Sequence, residues 1–146
     1  MNDEFFMEKV LIEAEKSKDD VPIGCVVVLD GEILAKGHNE VEKKDDPTLH
    51  AEILALRKAI KKVGRRKIQD AELYVNLEPC SMCVSTMIIA RIKRLIFGAF
   101  NEKMGACGSV VDLRDRFCRR IEVKSGVLKD RCEELLKEFF RGIRRV

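Results

Sequence analysis

Two short motifs constrain the fold of this chain most strongly, because each stands at the start of a predicted helix. The first is His50-Ala51-Glu52, which opens the helical pattern "HAEILALRKAIKKV", a helix that Gly64 should end. The second is Pro79-Cys80-Ser81-Met82-Cys83, where Pro79 suits the first turn of a helix that runs from Cys80 to about Arg91. If the imidazole and the thiolates share one metal ion, the fold must bring two helix N-termini together.

The remaining segments show further strand and helix patterns. Residues 4–17 place apolar side chains at helical spacing, and residues 128–145 form a final helix. Five strands are predicted: 23–29 and 32–38, joined as a hairpin by Asp30-Gly31, and then 71–77, 94–100 and 120–126. Helices before, between and after these strands predict an α/β fold, a three-layer α/β/α sandwich with a central mixed five-stranded sheet.

Composition excludes several classes of protein. A chain of 146 residues suits one domain with a real core, and no apolar run approaches the roughly 20 residues of a membrane helix. The acidic, amphipathic N-terminus is not a secretion signal, so the six cysteines are expected to be reduced thiols in a cytoplasmic protein. A net charge of +3 does not imply nucleic acid, so any RNA surface must come from local clusters.

The C-x-x-C pair alone has two interpretations, a redox pair with low-pKa thiols or half of a structural zinc site. A structural site needs a second cysteine pair, and the other four cysteines are isolated. His50 offers a third ligand instead, and three protein ligands with an open fourth position are typical of catalytic zinc, which makes its water acidic. Glu52, on the same helical turn, would then carry protons and not bind the metal.

The order H-x-E and then P-C-x-x-C is the signature of zinc-dependent nucleobase deaminases. The match extends through "VPIGCVVV", "GHNEV", "DPTLHAEILALR", "LYVNLEPCSMC", "RIKRLIFGAFNEKMGACGSVVDL" and "LLKEFFRGIRR". On these segments the chain resembles the tRNA-specific adenosine deaminases, which convert the wobble adenosine of an anticodon to inosine. The resemblance implies a single deaminase domain over residues 1–146 with a cytidine deaminase-like fold. It also implies one Zn²⁺ per chain and a tRNA anticodon stem-loop as the partner.

The resemblance also assigns roles to individual residues. The zinc ligands match His50, Cys80 and Cys83, and the proton shuttle matches Glu52. Asn39 matches the asparagine that holds the flipped nucleotide, although it could merely cap the loop after the second strand. Val21 and Pro22 are expected to form an apolar wall for the base, although they could simply pack at the entry of the strand. The N–H of Ala51 and the carbonyl of Leu77 are also expected to contact the substrate. Asn101 is a further expected contact, with the alternative that it only caps its own turn.

Contacts with the RNA beyond the target nucleotide are expected from two regions. Phe100 could stack on a base, with Lys103 beside it, and the last helix contributes Arg141, Arg144 and Arg145, because the family uses that helix on the RNA backbone. The default interpretation of such a charge run is a solvated face.

Assembly is predicted from the segment "STMIIARIKRLIF", which is more apolar than one small domain can hide. It predicts a homodimer through the zinc-bearing helices. The segments "VPIGC" and "NEKMGACGSV" look closer to the catalytic subunit of the eukaryotic heterodimeric enzyme, so a heterodimer with a related chain stays open.

Two rival functions also stay open. A deaminase of a free base or nucleoside (cytosine, guanine or adenosine) would use the same zinc site but would not need a basic C-terminal helix. A non-catalytic zinc-binding subunit could present tRNA to another chain. Glu52 argues against that second rival, because a structural site has no use for a buried proton shuttle.

Overall fold

A five-stranded mixed sheet forms the centre of the computed structural model, which describes residues 2–116 and 121–144. The strands are β1 (Gly24–Leu29), β2 (Glu32–His38), β3 (Glu72–Leu77), β4 (Arg94–Ala99) and β5 (Glu122–Lys124), in the spatial order β2-β1-β3-β4-β5. β1 is antiparallel to β2 and β3, whereas β4 is parallel to both β3 and β5. The carboxyl ends of β3 and β4 therefore lie at the same edge as the amino end of β1.

Helices pack on both faces of this sheet. The described residues form α1 (Asp3–Ala14), α2 (Val41–Lys44), α3 (Ala51–Lys67), α4 (Ser81–Ala90) and α5 (Lys129–Arg144). Cys25, Val27 and Leu29 of β1 belong to the apolar cluster with α3 and α4, and Val26 and Val28 belong to the cluster with α1 and α5. Because β1 is covered on both faces, its sequence is a continuous apolar run. The predicted three-layer α/β/α sandwich with five strands is confirmed.

Two helix boundaries differ from the prediction. α4 begins at Ser81, so the expectation that Pro79 occupies its first turn is wrong. Cys80 is the N-cap residue and has an extended backbone (φ −74°, ψ 173°), which places its thiol at the helix end. Gly64 has φ 86° and ψ 169°, which breaks α3 where predicted, but residues 65–67 return to helix. The short helix α2 was not predicted.

Close backbone contacts fix the start of α3 against the sheet. A Cβ atom on Gly37 of β2 would lie 2.7 Å from both the carbonyl oxygen of Ala51 and the nitrogen of Ala55. Only glycine therefore allows this strand to approach the first turns of α3 so closely. The β1–β2 hairpin forms as predicted, with Asp30 and Gly31 both at positive φ (52° and 79°), as a type I′ turn requires.

A network of polar side chains around Asp3 ties α1 to three strands. The Asp3 carboxylate accepts hydrogen bonds from Tyr74 Oη (2.7 Å), Arg94 Nη2 (2.7 Å) and Lys124 Nζ (2.8 Å). Arg94 also binds Glu72 at 2.5 Å. The hydrogen bond from Arg94, with smaller contributions from Lys124 and Tyr74, holds the pKa of Asp3 well below its usual range. Ionised Asp3 therefore stabilises the folded state.

We expect Asp3→Asn to lower the free energy of unfolding at pH 7 by about 1.5–3 kcal/mol, because hydrogen bonds to a charged group are lost. The folded pKa of Asp3 lies below its unfolded value of about 3.9, so this contribution is present above that pH and is lost as the pH falls below it. Denaturant unfolding at pH 7 and at pH 3 should show the gap between wild type and variant narrowing. Asp70→Asn, at an exposed position, is the control and should change stability little at either pH.

The cysteines that the structure describes form no disulfide bond. Cys25, Cys80, Cys83, Cys107 and Cys132 are free and buried, and Cys118 lies outside the described residues. No helix in the described part of the chain is long and apolar enough to cross a membrane.

Candidate metal centre and substrate groove

Three predicted ligands converge where α3 and α4 begin. His50 is the N-cap residue of α3, Cys80 is the N-cap residue of α4, and Cys83 lies in the first turn of α4. Their ligand atoms all lie within 4.8 Å of one another. His50 Nδ1 is 3.5 Å from Cys80 Sγ and 3.6 Å from Cys83 Sγ. Among the described residues this is the one group of three or more His, Cys, Asp or Glu side chains placed to hold a metal.

The distances fit tetrahedral zinc. With a Zn–N bond of about 2.05 Å and a Zn–S bond of about 2.3 Å, the nitrogen and sulfur ligands of a tetrahedron lie about 3.5 Å apart. One imidazole and two sulfurs form a donor set suited to zinc, and they leave a fourth position free. The three ligands predicted from the sequence are therefore placed as a catalytic zinc site requires.

The electrostatics of the site favour both metal binding and proton transfer. The hydrogen bond from Cys83 lowers the pKa of Cys80 to about 4, whereas the same contact and burial raise the pKa of Cys83, so one of the two sulfurs is a thiolate at neutral pH before any metal binds. Burial raises the pKa of Glu52 to about 7, and its side chain is almost fully enclosed. A carboxyl group that titrates near neutral pH can both accept and return a proton. The amino ends of two helices add partial positive charge at the same place.

A groove runs past this centre. Its middle is a catalytic pocket of about 110 Å³, lined by Ile23, Glu52, Leu77, Asn101 and Met104 together with two of the ligands. A first flanking space of about 600 Å³ lies beside Asn39, His50 and Ile143. A second flanking space of about 550 Å³ lies beside Phe100, Lys103 and Lys129. Val21 and Phe140 border both flanking spaces. The pocket shares His50 with the first space and Leu77, Asn101 and Met104 with the second, so the three parts adjoin in one groove, called here the substrate groove.

Asn39 and Asn101 line this groove and also cap local turns. Asn39 Oδ1 accepts the N–H of Val41 (3.1 Å), and its Nδ2 donates to the carbonyl of Val21 (3.3 Å). Asn101 Oδ1 accepts the N–H groups of Lys103 (3.2 Å) and Met104 (3.1 Å). The capping alternative considered for each residue is therefore correct as a local description. Both residues also line the groove, Asn39 at the first flanking space and Asn101 at the pocket.

The remaining predicted base contacts lie around the pocket. Val21 and Leu77 line the groove, whereas Pro22 is buried between Val21 and Ile23. Ala51 is the first residue of α3, so its N–H is one of the first four, which have no partner within the helix. The apolar wall of the groove is thus formed by Val21 and Ile23, with Pro22 behind them.

The predicted RNA contacts divide into two groups. Phe100 is 47% exposed and packs edge-to-face on Phe97, with ring centroids 5.4 Å apart, and Lys103 is exposed beside it. Arg141 is exposed on α5 and forms an ion pair with Glu134 at 2.6 Å. Arg144 is the last residue of α5, and Arg145 lies outside the described residues.

Sequence reasoning missed Glu78, which organises one side of the pocket. Its buried carboxylate accepts the N–H groups of Asn101 (3.2 Å), Cys107 (2.9 Å) and Ser109 (3.2 Å), and also the Ser109 hydroxyl. A Cβ atom on Gly105 would lie 2.5 Å from this carboxylate. Glu78 therefore holds the loop 101–109 against the pocket. The sequence did contain a signal for this role, because Glu78 is an acidic residue directly after an apolar strand, between Leu77 and Pro79.

Sequence reasoning assigned basic residues of α5 to the RNA but missed the apolar side chains that this helix places at the groove. Phe139, Phe140 and Ile143 border the first flanking space, and Phe140 and Ile143 remain about half exposed. The helical pattern of the sequence predicted α5, but it did not predict which part of the molecule the exposed apolar side chains of this helix would contact. These side chains form the far wall of the groove.

Comparison with known proteins identifies the family. A model of the cytidine and deoxycytidylate deaminase zinc-binding region matches residues 1–99. The tRNA-specific adenosine deaminase of Bacillus subtilis (strain 168) is 41% identical over 147 residues, covering 98% of this chain and 91% of that protein. The chain belongs to the tRNA-specific adenosine deaminase family. Membership in this deaminase family makes the protein an enzyme, and it has the fold predicted from its sequence.

Two solved structures are similar in fold to this member of the tRNA-specific adenosine deaminase family. One comes from biochemical and structural studies of A-to-I editing by tRNA:A34 deaminases at the wobble position of transfer RNA. It has a TM-score of 0.85 and 40% identity, and the match covers 90% of this chain and 98% of that chain. Guanine deaminase from Bacillus subtilis has a TM-score of 0.65 and 39% identity, with 68% of this chain and 66% of that chain covered.

Proposed function

We propose that this protein converts the wobble adenosine of a tRNA anticodon to inosine by hydrolysis, in the cytoplasm and with one zinc ion per chain. The observation that carries the proposal is the substrate groove, which continues on both sides of the catalytic pocket. A free base would occupy the pocket alone, whereas a target nucleotide within an RNA loop needs room for its neighbours. The similarity to a tRNA-specific adenosine deaminase along 98% of the chain supports the same substrate class.

The reaction adds water at C6 of adenine and releases the 6-amino group as ammonia. Zinc, held by His50, Cys80 and Cys83, would supply a water molecule that is acidic near neutral pH. Glu52 accepts a proton from the attacking water and delivers it to N1 of the purine. It then carries the second proton, from the new C6 hydroxyl, to the amine, which departs as ammonia. Its enclosure at the pocket floor keeps bulk water from competing for that proton.

Other residues of the groove would hold the flipped nucleotide. The N–H of Ala51 and the carbonyl of Leu77 offer one donor and one acceptor beside the metal centre, which suits a purine edge. Val21 and Ile23 provide an apolar wall for the base, and Asn39 contacts the nucleotide from the first flanking space. A base that is splayed out of an RNA loop would reach these residues.

One experiment separates this function from its rivals. The purified protein is incubated with total tRNA, which is then sequenced for adenosine-to-inosine changes, and in parallel with free guanine, cytosine and adenosine. We expect inosine at a wobble position and no ammonia release from the free compounds. Ammonia release from a free base with unchanged tRNA would establish the small-molecule rival instead. A zinc-loaded protein inactive in every assay would favour the non-catalytic subunit.

We expect Lys103 to raise the affinity for RNA by contacting a backbone phosphate, without affecting which base is recognised. It is exposed at the second flanking space, next to Phe100. Lys103→Ala should weaken stem-loop binding at low salt and reduce the slope of log affinity against log salt by about 0.7, the value for one phosphate contact in a single strand. Binding titrations at several salt concentrations measure this. The control is Lys61→Ala, at an exposed position of α3. An equal change of the salt slope in both variants would contradict the assignment of Lys103 as a phosphate contact.

For the assembly we propose a homodimer through α3 and α4. Ile89 on α4 is 77% exposed, a large apolar side chain that a partner would cover. Ile89→Lys should shift the protein from dimer to monomer in sedimentation velocity and reduce activity. A wild-type monomer at micromolar concentration with full activity would contradict the homodimer, and dimerisation only with a related chain would establish the heterodimer.

A further inference from the structure

Asn76 is a fully buried amide at the point where two strands separate. The antiparallel pairing of β1 with β3 ends at Cys25 and Val75, and the next pair in register would be Gly24 and Asn76. There the Asn76 side chain replaces the main-chain ladder. Its Oδ1 accepts the N–H of Gly24 (2.9 Å), and its Nδ2 donates to the carbonyl of Pro22 (2.9 Å). One side chain therefore satisfies a donor and an acceptor of residues 21–24, the segment through which the chain enters β1.

This segment is held from its other side as well. A Cβ atom on Gly24 would lie 2.4 Å from the carbonyl oxygen of Val10 and 2.6 Å from the nitrogen of Ala14, so α1 presses directly on the strand entry. The segment cannot move toward α1, and Asn76 prevents it from moving away from β3. Its position across the sheet is therefore fixed by these two contacts.

The segment fixed by Asn76 is the apolar wall of the substrate groove. Val21 borders both flanking spaces, and Ile23 lines the catalytic pocket. Asn39 holds the same segment at the groove side, because its Nδ2 donates to Val21 and its N–H donates to the carbonyl of Ile23 (3.0 Å). The carbonyls of residues 21, 22 and 23 are thus all bound by two asparagines, one in the groove and one behind it.

We propose that Asn76 is a positioning residue that sets the location of the wall formed by Val21 and Ile23, and through it the affinity for the target nucleotide. Asn76 does not line the groove, so it acts only through Pro22 and Gly24. This inference rests on the proposed function for its substrate. A wall that contacts the base equally before and during reaction changes binding of both states alike, so its displacement raises KM and leaves kcat nearly unchanged.

The decisive variant is Asn76→Leu, which has nearly the same volume but can neither accept from the Gly24 N–H nor donate to the Pro22 carbonyl. We expect KM for an anticodon stem-loop to rise about tenfold, kcat to change less than about threefold, and zinc content to stay the same. Tyr74→Phe is the matched control, because it removes one hydrogen bond from the same strand, to Asp3, away from the groove. It should lower the melting temperature without changing KM.

The possible outcomes distinguish a failure of this inference from a failure of the proposed function. If Asn76→Leu and Tyr74→Phe both lose stability while KM stays at the wild-type value, Asn76 is only a structural residue and the inference is wrong. If Asn76→Leu does not fold, Asn76→Ser gives the same readout, with a raised KM expected and an unchanged KM contradicting it. A wild-type protein that leaves the stem-loop unchanged counts against the proposed function. An active wild type with an unaffected Asn76→Leu counts against this inference alone.

Discussion

Replacing Glu52 with glutamine should remove nearly all turnover while leaving the metal in place. Glutamine keeps the size of the side chain but cannot carry a proton, and general acid–base groups contribute roughly 10²- to 10⁴-fold. We therefore expect kcat on a substrate tRNA to fall by at least about 10²-fold. Zinc content, measured by elemental analysis, should match that of the wild type, because Glu52 is not among the three side chains placed to hold a metal.

Glu13→Gln provides the control for this variant. Glu13 is as buried as Glu52, at 5% exposure, but it binds His38 and Lys16 on the α1 side of the sheet. Losing that carboxylate should reduce stability and leave kcat within about threefold. A Glu52→Gln protein that has lost its zinc would show that Glu52 is a ligand, which would overturn its assignment as the proton carrier.

Removing one ligand should abolish both metal binding and activity. Cys83→Ala leaves two ligands, too few for a closed catalytic site, so we expect zinc to drop from about one per chain to background and activity to vanish. The wild type should also lose thermal stability when a chelator strips its metal, because a metal that binds only the folded state stabilises it. The Cys83→Ala protein should show no response to the chelator.

Cys132→Ala tests whether such effects are specific to the metal. Cys132 is also a fully buried free thiol, but it belongs to the apolar cluster with α1 and α5, on the other face of the sheet. Its replacement should cost some packing energy while zinc content and activity persist. If Cys83→Ala retains stoichiometric zinc, the metal is held elsewhere and the site described above is not the zinc centre.

Local patterns in the sequence were sufficient to predict most of the fold. The apolar run of β1, the Asp30-Gly31 turn and the two motifs at helix starts each reflect a short-range physical preference, and each is found in the structure. Pro79 was misplaced because proline suits both the first helical turn and the residues just before a helix. Only the extended backbone of Cys80 distinguishes the two.

Residues whose roles depend on long-range contacts could not be predicted in this way. Glu78 binds N–H groups more than twenty residues away, and Asn76 binds a segment 52 and 54 residues earlier. Neither spacing follows a helical or strand period, so no local pattern reveals it. The metal ligands were predictable only because their residue types are chemically restrictive, which the amide of Asn76 and the carboxylate of Glu78 are not.

The far wall formed by α5 has an evolutionary consequence. The match to the model of the cytidine and deoxycytidylate deaminase zinc-binding region ends at residue 99, and it contains Glu52 and the three residues placed to hold a metal. Phe100, Lys103 and the groove-facing residues of α5 all come later in the chain. The metal centre and the near wall of the groove, formed by Val21 and Ile23, thus come from one part of the chain, and the far wall comes from the part that follows it. A change in that later part could reshape one wall in an ancestral deaminase while the metal centre and the opposite wall stay as they are.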